Sequence, residues 1–403
     1  VLHAKEFKLG IENISIEKMC TMCPGKKKGT CIVGLITNQT GVDQRGNRSV
    51  DLLQARGFTV NTIFVPEHGF GGILAERDVH DSVDKKTGIP IISLYGNGSG
   101  KMISAEHLAP IDCLMFDIQD SGMRHYTYIS TLLNTMKIAA AHNKPFVVFD
   151  RPNPLGSIME GPLVEPSLIS FISIASIPLR HGMTIGELAH YFNEHILEKK
   201  VKLRVVKMSG YNRTHGFVGD LINQLSPNLR SLQSIYGYSF LGLLGEIEPF
   251  DVGVGTDMAF RCITLPESMH VPTAVWRRLQ KILDSYGVKS FMYRHTNKKN
   301  KRMSRGLRLE FSGISDMQSF RLLIAMVKFF KKENISFSFS PSFNKAVGTK
   351  KVHDVLAGTL SEDLFFEHIF QELQKFHSQA ASSFFYAPSP LITKLFQKNK
   401  WIK

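Results

Sequence analysis

Between residues 31 and 206 the chain repeats one arrangement: a short run rich in Val, Ile and Phe, then a helical pattern or a polar loop, then another run. Runs at 31–37, 58–65, 90–93, 111–117 and 146–149 read as buried strands, and a sixth follows at 201–206. Strands that alternate with helices specify a parallel sheet covered by crossover helices. Strands of a parallel sheet are short and rich in Val, Ile and Phe, as these are. Helices are expected at 49–56, closed by Gly57; at 127–142, which carries an apolar stripe; and at 184–197, where Thr184 and Glu187 have the spacing of a capping box.

From about residue 260 the character changes. A helix is expected at 276–286, and residues 291–308 hold seven Lys/Arg and no acid. The only aromatics in that run are Phe291 and Tyr293 at one end, so it lacks the interleaved stacking platform of a single-strand binder. It reads as a solvated basic loop, and no nucleic-acid partner is expected. A strand at 307–311, a helix at 319–332, a strand at 335–339 and a helix at 362–376 complete a smaller α+β domain. The expected division is 1–258 and 259–403.

With 43% hydrophobic residues among 403, the chain can bury one large core or two ordinary ones. A formal charge of +14 favours anionic partners: nucleic acid, anionic lipid or an acidic wall polymer. The longest apolar stretch, 168–179, is 12 residues with three serines, far short of a membrane span. The chain begins at Val1, which reads as a processed start and gives an expectation of a secreted or periplasmic protein, with the cytoplasm as the alternative. Cys20, Cys23 and Cys31 lack the second ligand pair of a zinc site; a loop with one disulfide or free thiols is the better reading.

In open α/β sheets, ligands bind beyond the carboxyl ends of the strands. Five strand ends here carry polar clusters: Thr37-Asn38-Gln39-Thr40-Gly41, Pro66-Glu67-His68-Gly69, Leu94-Tyr95-Gly96, Asp117-Ile118-Gln119-Asp120 with Arg124, His125 and Tyr126 behind it, and Asp150-Arg151-Pro152-Asn153-Pro154. So many acids, amides and hydroxyls suit a polyhydroxylated ligand such as a sugar. Glu67, between Pro66 and His68-Gly69, is placed to act as general acid on a glycosidic oxygen, or else caps the next helix or pairs with Arg77. Asp117 and Asp120 orient that acid, hold hydroxyls or act as base, or else cap a helix. Arg124, Arg151 and His181 suit an anionic ligand group or ion pairs with the local aspartates. There is no G-x-G-x-x-G, no P-loop and no G-x-S-x-G elbow; the nearest phosphate-loop approximation, residues 96–101, reads as a turn. No metal or other cofactor is expected.

These loops resemble those of the NamZ (YbbC-like) family, exo-β-N-acetylmuramidases that release N-acetylmuramic acid from the non-reducing end of peptidoglycan fragments. The resemblance runs through Leu35-Ile36-Thr37-Asn38-Gln39-Thr40-Gly41, Pro66-Glu67-His68-Gly69-Phe70, Ser93-Leu94-Tyr95-Gly96 and Phe116-Asp117-Ile118-Gln119-Asp120-Ser121-Gly122-Met123-Arg124. It continues in Tyr126-Thr127-Tyr128, Asp150-Arg151-Pro152-Asn153-Pro154-Leu155-Gly156, Glu160-Gly161-Pro162 and His181-Gly182-Met183-Thr184-Ile185-Gly186-Glu187. It implies a Rossmann-like catalytic domain, a smaller C-terminal domain closing a cleft, Glu67 as the acid, and a peptidoglycan-derived sugar or muropeptide as partner. Asn38, His68, Tyr95, Gln119, Arg124, Tyr126, Arg151, Asn153 and His181 are the candidate substrate contacts. Later motifs diverge: Ser226-Pro227-Asn228, Glu246 and Gly253-Val254-Gly255-Thr256 remain, but Val254 and Val252 stand where the family has an arginine and an acid. That difference keeps two alternatives open, a non-catalytic muropeptide-binding or glycan-binding protein and a hydrolase of another amino-sugar glycoside.

Overall fold

The structure, a computed structural model, describes residues 6–14, 23, 31–72, 80–96, 99–100, 103–213, 225–296, 303–314 and 317–387. The apolar runs form one seven-stranded sheet from β1 (Ile32–Thr37), β2 (Thr59–Val65), β3 (Ser82–Val83), β4 (Pro90–Ser93), β5 (Cys113–Asp117), β6 (Phe146–Phe149) and β7 (Leu203–Val206), in the order β3-β4-β2-β1-β5-β6-β7. All neighbours are parallel except the edge strand β3, which runs antiparallel to β4. The chain moves outward from β1 to β2 and β4, then returns to lay β5 on the other side of β1. The topological switch point therefore lies between β1 and β5, where Thr37 is in register with Asp117.

Successive side chains of a strand point to opposite faces, and here both faces are buried. Val33 and Leu35 of β1 with Cys113 and Met115 of β5 enter one core; Ile36, Leu114 and Phe116 enter the other. The second core runs on without a break into the C-terminal region, which therefore sits mainly against one face of the sheet, with Tyr386 near the chain's end reaching the other core. Helices α1 (Ser49–Ala55), α2 (Ala105–Leu108), α3 (Tyr128–Ala141) and α4 (Ile185–Tyr191) make the crossovers. The Thr184–Glu187 capping box forms as its spacing predicts, but α4 ends at Tyr191 and a π-helical turn, Phe192–Ile196, completes the expected span.

The C-terminal region holds α5 (Leu232–Leu244), the two-residue pair of β8 (Ile247–Glu248) and β12 (Ser338–Phe339), an antiparallel sheet of β9 (Cys262–Pro266), β10 (Val288–Thr296) and β11 (Met303–Phe311), and α6 (Thr273–Ser285), α7 (Ser319–Lys332), α8 (Phe343–Val347), α9 (Lys351–Ala357) and α10 (Glu362–Gln379). The basic stretch read as a solvated loop is a correction: on both sides of residues 297–302, which lie outside the described residues, it is paired strand. Its cations alternate with inward residues: Leu307 and Leu309 are buried, while Arg308 turns out over the Phe291 ring at 4.8 Å. Lys and Arg are poor strand formers in isolation, and cross-strand packing overrides that preference.

No element was expected over α5. Its sequence is apolar all round with glycines inside, which hides any stripe. The glycines are there for close approach: a Cβ on Gly237 would lie 1.7 Å from the Phe260 carbonyl oxygen, and one on Gly242 would lie 2.7 Å from His125 Nε2. Cys23 and Cys31 form a disulfide, Cys113 and Cys262 are buried free thiols, and Cys20 lies outside the described residues. Among the described residues no helix is long and apolar enough to cross a membrane.

Candidate functional site

The strand-end loops converge at the carboxyl edge of the sheet, under α5. After β2 the chain turns sharply, with the Gly69 N–H donating to the Pro66 carbonyl at 3.1 Å and both His68 and Gly69 in the left-handed region at φ 71°. That conformation is costly for a residue with a side chain, and such strain concentrates at functional sites. It fixes Glu67, which is buried; the Thr127 hydroxyl at the start of α3 donates to its Oε2 at 2.6 Å, and His68 Nε2 stands 4.0 Å from Oε1. Arg77, an alternative partner in the sequence, lies outside the described residues.

On the neighbouring loops, two buried polar groups have atoms without partners. Asn38 uses its Oδ1 to accept from the Thr40 N–H (3.0 Å) and hydroxyl (2.6 Å), while its Nδ2 has no acceptor. Asp120 accepts through Oδ2 from the Gly122 N–H (2.6 Å) and His181 Nε2 (3.0 Å), while its Oδ1 has no donor. His181 Nδ1 accepts from the Met183 N–H at 3.2 Å, so Nε2 carries the proton that points at Asp120. Buried polar atoms are nearly always paired, so an unpaired acceptor and donor at a strand-end crevice are groups to be met by a ligand or water.

Three aromatic residues close the group. Tyr126 and Tyr128 lie with ring centroids 4.6 Å apart, and both hydroxyls donate to the Leu225 carbonyl, at 3.0 and 3.3 Å. Tyr238 of α5 packs against His125 with ring centroids 4.7 Å apart and the planes tilted by 38°. Burial and the carboxylates of Glu67, Asp120 and Glu246 all push the Tyr238 hydroxyl far above its ordinary pKa. Glu67 and Asp120 thus both act electrostatically on the Tyr238 phenol. Both ring nitrogens of His125 are buried without partners, and burial together with Arg124 lowers its pKa to about 3. The sequence assigns no site role to His125, Tyr238 or Thr127; the bond to Glu67 gives Thr127 its role, and α5 brings Tyr238 to His125.

Several candidates instead hold the loops in place. Arg151 grips Asp117 with both arms of its fork, Nε to Oδ1 at 2.6 Å and Nη2 to Oδ2 at 2.8 Å, and Ser49 donates to the same carboxylate. Asp117 has no exposed surface. The pair sits beneath the crevice, as the ion-pairing alternative for Arg151 anticipated, and the structure does not bring Asp117 to the Glu67 group. Arg124 is a plain correction to its reading as a ligand for an anion. It is fully buried, and it donates to the carbonyls of Pro162 (2.7 Å), Ile177 (2.7 Å), Ala346 (3.2 Å) and Val347 (2.8 Å) and to Ser173 Oγ (3.2 Å), with burial lowering its pKa to about 9. Gln119 Nε2 donates to the Asp120 and Pro152 carbonyls, and Asn153 spans the Met183 carbonyl and the Leu155 N–H. Tyr95 is buried, its ring 6.0 Å from that of Phe171. A cavity of about 280 Å³ opens beside the end of β1, bounded by Asn38, Gln39, Val42, Phe70 and Gly71.

Two family models match the chain in succession: Exo-beta-N-acetylmuramidase NamZ, N-terminal, over residues 33–233, and the C-terminal model of the same family over 236–386. The chain belongs to the NamZ family. It is 40% identical over 261 residues to the peptidoglycan beta-N-acetylmuramidase NamZ of Bacillus subtilis (strain 168), a match spanning 61% of this chain and 62% of that protein. Two solved structures of DUF1343 family proteins from Bacteroides fragilis NCTC 9343 share the fold. One has a TM-score of 0.80 at 29% identity, over 94% of this chain and 99% of its own; the other has 0.72 at 25%, over 96% and 100%.

The stretch that departs from the family's motifs borders the site. Val252 is buried, Val254 is half-buried, and the Gly255 N–H donates to Asn228 Oδ1 at 2.9 Å. Phe260, at the end of the loop, packs on Tyr238 with ring centroids 4.8 Å apart.

Proposed function

We propose that this protein is an exo-acting β-N-acetylmuramidase that removes N-acetylmuramic acid from the non-reducing end of peptidoglycan fragments, with Glu67 as the proton donor. The single observation that carries the reading is Glu67, buried on the strained turn after β2 and held there by the hydroxyl of Thr127, seven residues beyond Asp120 with its unpaired Oδ1. Family membership and the activity for which the Bacillus relative is named support it.

In this reading Glu67 protonates the leaving glycosidic oxygen as the bond to the anomeric carbon breaks. Neighbouring carboxylates favour keeping such an acid neutral until it acts. Asp120, oriented by His181, offers its unused Oδ1 to the N–H of the 2-acetamido group, which turns the acetamido carbonyl toward the anomeric carbon as the internal nucleophile. Water then opens the resulting oxazolinium ring, with Glu67 as the base. Asn38 Nδ2 meets a sugar oxygen.

The test is hydrolysis of para-nitrophenyl N-acetylmuraminide and of a natural disaccharide. Glu67→Gln keeps the shape but has no proton to give, so kcat on the disaccharide falls at least about 10²-fold, and less on the activated aryl glycoside. Near wild-type turnover by this variant overturns the assignment. Tight glycan binding with no turnover by the wild type favours the non-catalytic binding reading, for which the Val252 and Val254 replacements are the specific motive. We place the protein outside the cytoplasm, in wall turnover; the Cys23–Cys31 disulfide, a bond characteristic of oxidising compartments, supports that placement.

A further inference from the structure

A second cavity, of about 330 Å³, lies at the far end of β9 from the site. Phe260 packs on Tyr238 and β9 runs on to Pro266, so the two places are separated by a strand's length, on the order of 15–20 Å. Leu265, Val271 and Trp276 give the cavity apolar walls, and Arg294, Arg305 and the first residue of α6, Thr273, bring polar groups to it.

Its charge pattern is unusual for a surface that only needs to be soluble. Arg294 and Arg305 are direct cross-strand partners in the β10–β11 hairpin, and like charges placed opposite one another destabilise a sheet. Arg305 is held to the Thr273 hydroxyl at 2.6 Å, which points its guanidinium at the start of α6. That helix begins on Pro272 with no side-chain cap; the Val275 N–H turns back to the Pro272 carbonyl at 3.0 Å, and the positive end of the helix dipole is left at the cavity. Helical side chains lean toward the helix N-terminus, and Trp276 leans over this same turn, buried, with an indole N–H that has no acceptor. Among the described residues that line the cavity there is one acid, Glu267, 3.1 Å from Arg294. It balances one arginine and leaves the second cation and the helix end uncompensated.

We propose that this cavity binds a small organic carboxylate, such as the C-terminus of an acylated amino acid or short peptide, with the carboxylate on Arg305 and the start of α6 and the apolar body against Leu265, Val271 and Trp276. An arginine fork matches a carboxylate in geometry, and the walls match a body larger than a bare ion. The site is separate from the glycosidase reading and stands or falls independently of it.

Trp276 reports on the site directly. The protein has two tryptophans, and Trp401→Phe leaves Trp276 alone. In that background, N-acetyl-D-alanine is expected to change the fluorescence saturably with a Kd of about 1 mM or tighter, whereas N-acetyl-D-alaninamide has no effect. Arg305→Gln weakens binding at least about tenfold, the order expected for a charge-assisted pair. Glu267→Gln, which removes the competing acid, tightens it by about threefold or more. Should Arg305→Gln fail to fold, exposed Arg294→Gln carries the same test with a loss of about threefold or more. Equal response to acid and amide, equal or stronger binding of inorganic phosphate, or arginine variants without effect would each overturn the proposal.

Discussion

Asp117 and Asp120 are three positions apart on one strand end, and the structure puts them to opposite uses. Around Asp117 every polar demand is met: Arg151 takes both oxygens, Ser49 adds a hydroxyl, and the residue is sealed from water. Around Asp120 the account stays open, with one oxygen lacking a donor while the Asn38 amide nearby on the adjacent loop lacks an acceptor. The first is a floor that locks β1, β5 and β6 together at the switch point; the second is a wall built to be completed by something else. Satisfaction of hydrogen bonds, rather than residue type or conservative position in a motif, separates the two roles.

The sharpest way to break that contrast is to remove a member of the floor. Arg151→Met leaves the Asp117 carboxylate buried beside Ser49 without its cation, and a buried charge stripped of its partner costs about 3–5 kcal/mol. The denaturant midpoint should fall accordingly, while the fraction that remains folded keeps its kcat. A lowered kcat at unchanged stability would move Arg151 into the wall. Arg124→Lys is expected to cost somewhat less, about 2–4 kcal/mol, because an ammonium has three donors where the guanidinium serves four carbonyls and a hydroxyl. Since two of those carbonyls belong to Ala346 and Val347, calorimetry should show the C-terminal region loosening with it.

On the wall the signature reverses. Asp120→Asn should lower kcat about 10- to 100-fold with a change in stability below about 1 kcal/mol, because its unpaired oxygen contributes nothing to the fold. If the variant unfolds instead, Asp120 belongs with the floor. The smallest effect concerns Asp150, at the end of β6, which accepts from Thr184 Oγ1 (3.0 Å), the Gly186 N–H (2.8 Å) and the Tyr386 hydroxyl (2.6 Å). Burial, with Glu187 nearby, raises its pKa from 3.8 to about 6. The folded state therefore holds a proton that the unfolded chain gives up, so the stability this group contributes is complete below about pH 4 and is lost as pH rises through about 6. A fall in Tm on the order of a few degrees across that window, absent in Asp150→Asn, would confirm the sign.

Much of the molecule was legible in the chain. Runs such as 90–93 and 146–149 are strands over the predicted residues, the helix at 319–332 has the predicted bounds, and the five polar clusters do meet at one edge of a parallel sheet. These features are local, set by hydrophobic period and capping spacing. What the reading missed was non-local. Helix α5 shows no stripe because it is enclosed on nearly all sides, and the basic strands of the hairpin are stabilised by pairing partners that a window of sequence does not contain.

The α/β class, the crevice and the set of residues that could do chemistry there are all written in the chain, because each follows from apolar periodicity and from which residue types end the strands. Which of them are free to act depends on the packing of distant segments. Arg124 and Arg151 look like binding groups until distant carbonyls and a neighbouring aspartate are folded against them, and Tyr238 shows no sign of a role until α5 sets it against the His125 ring. The physical reason is that a polar group's role depends on what desolvates it and what pairs with it, and both are supplied by residues far away in the chain.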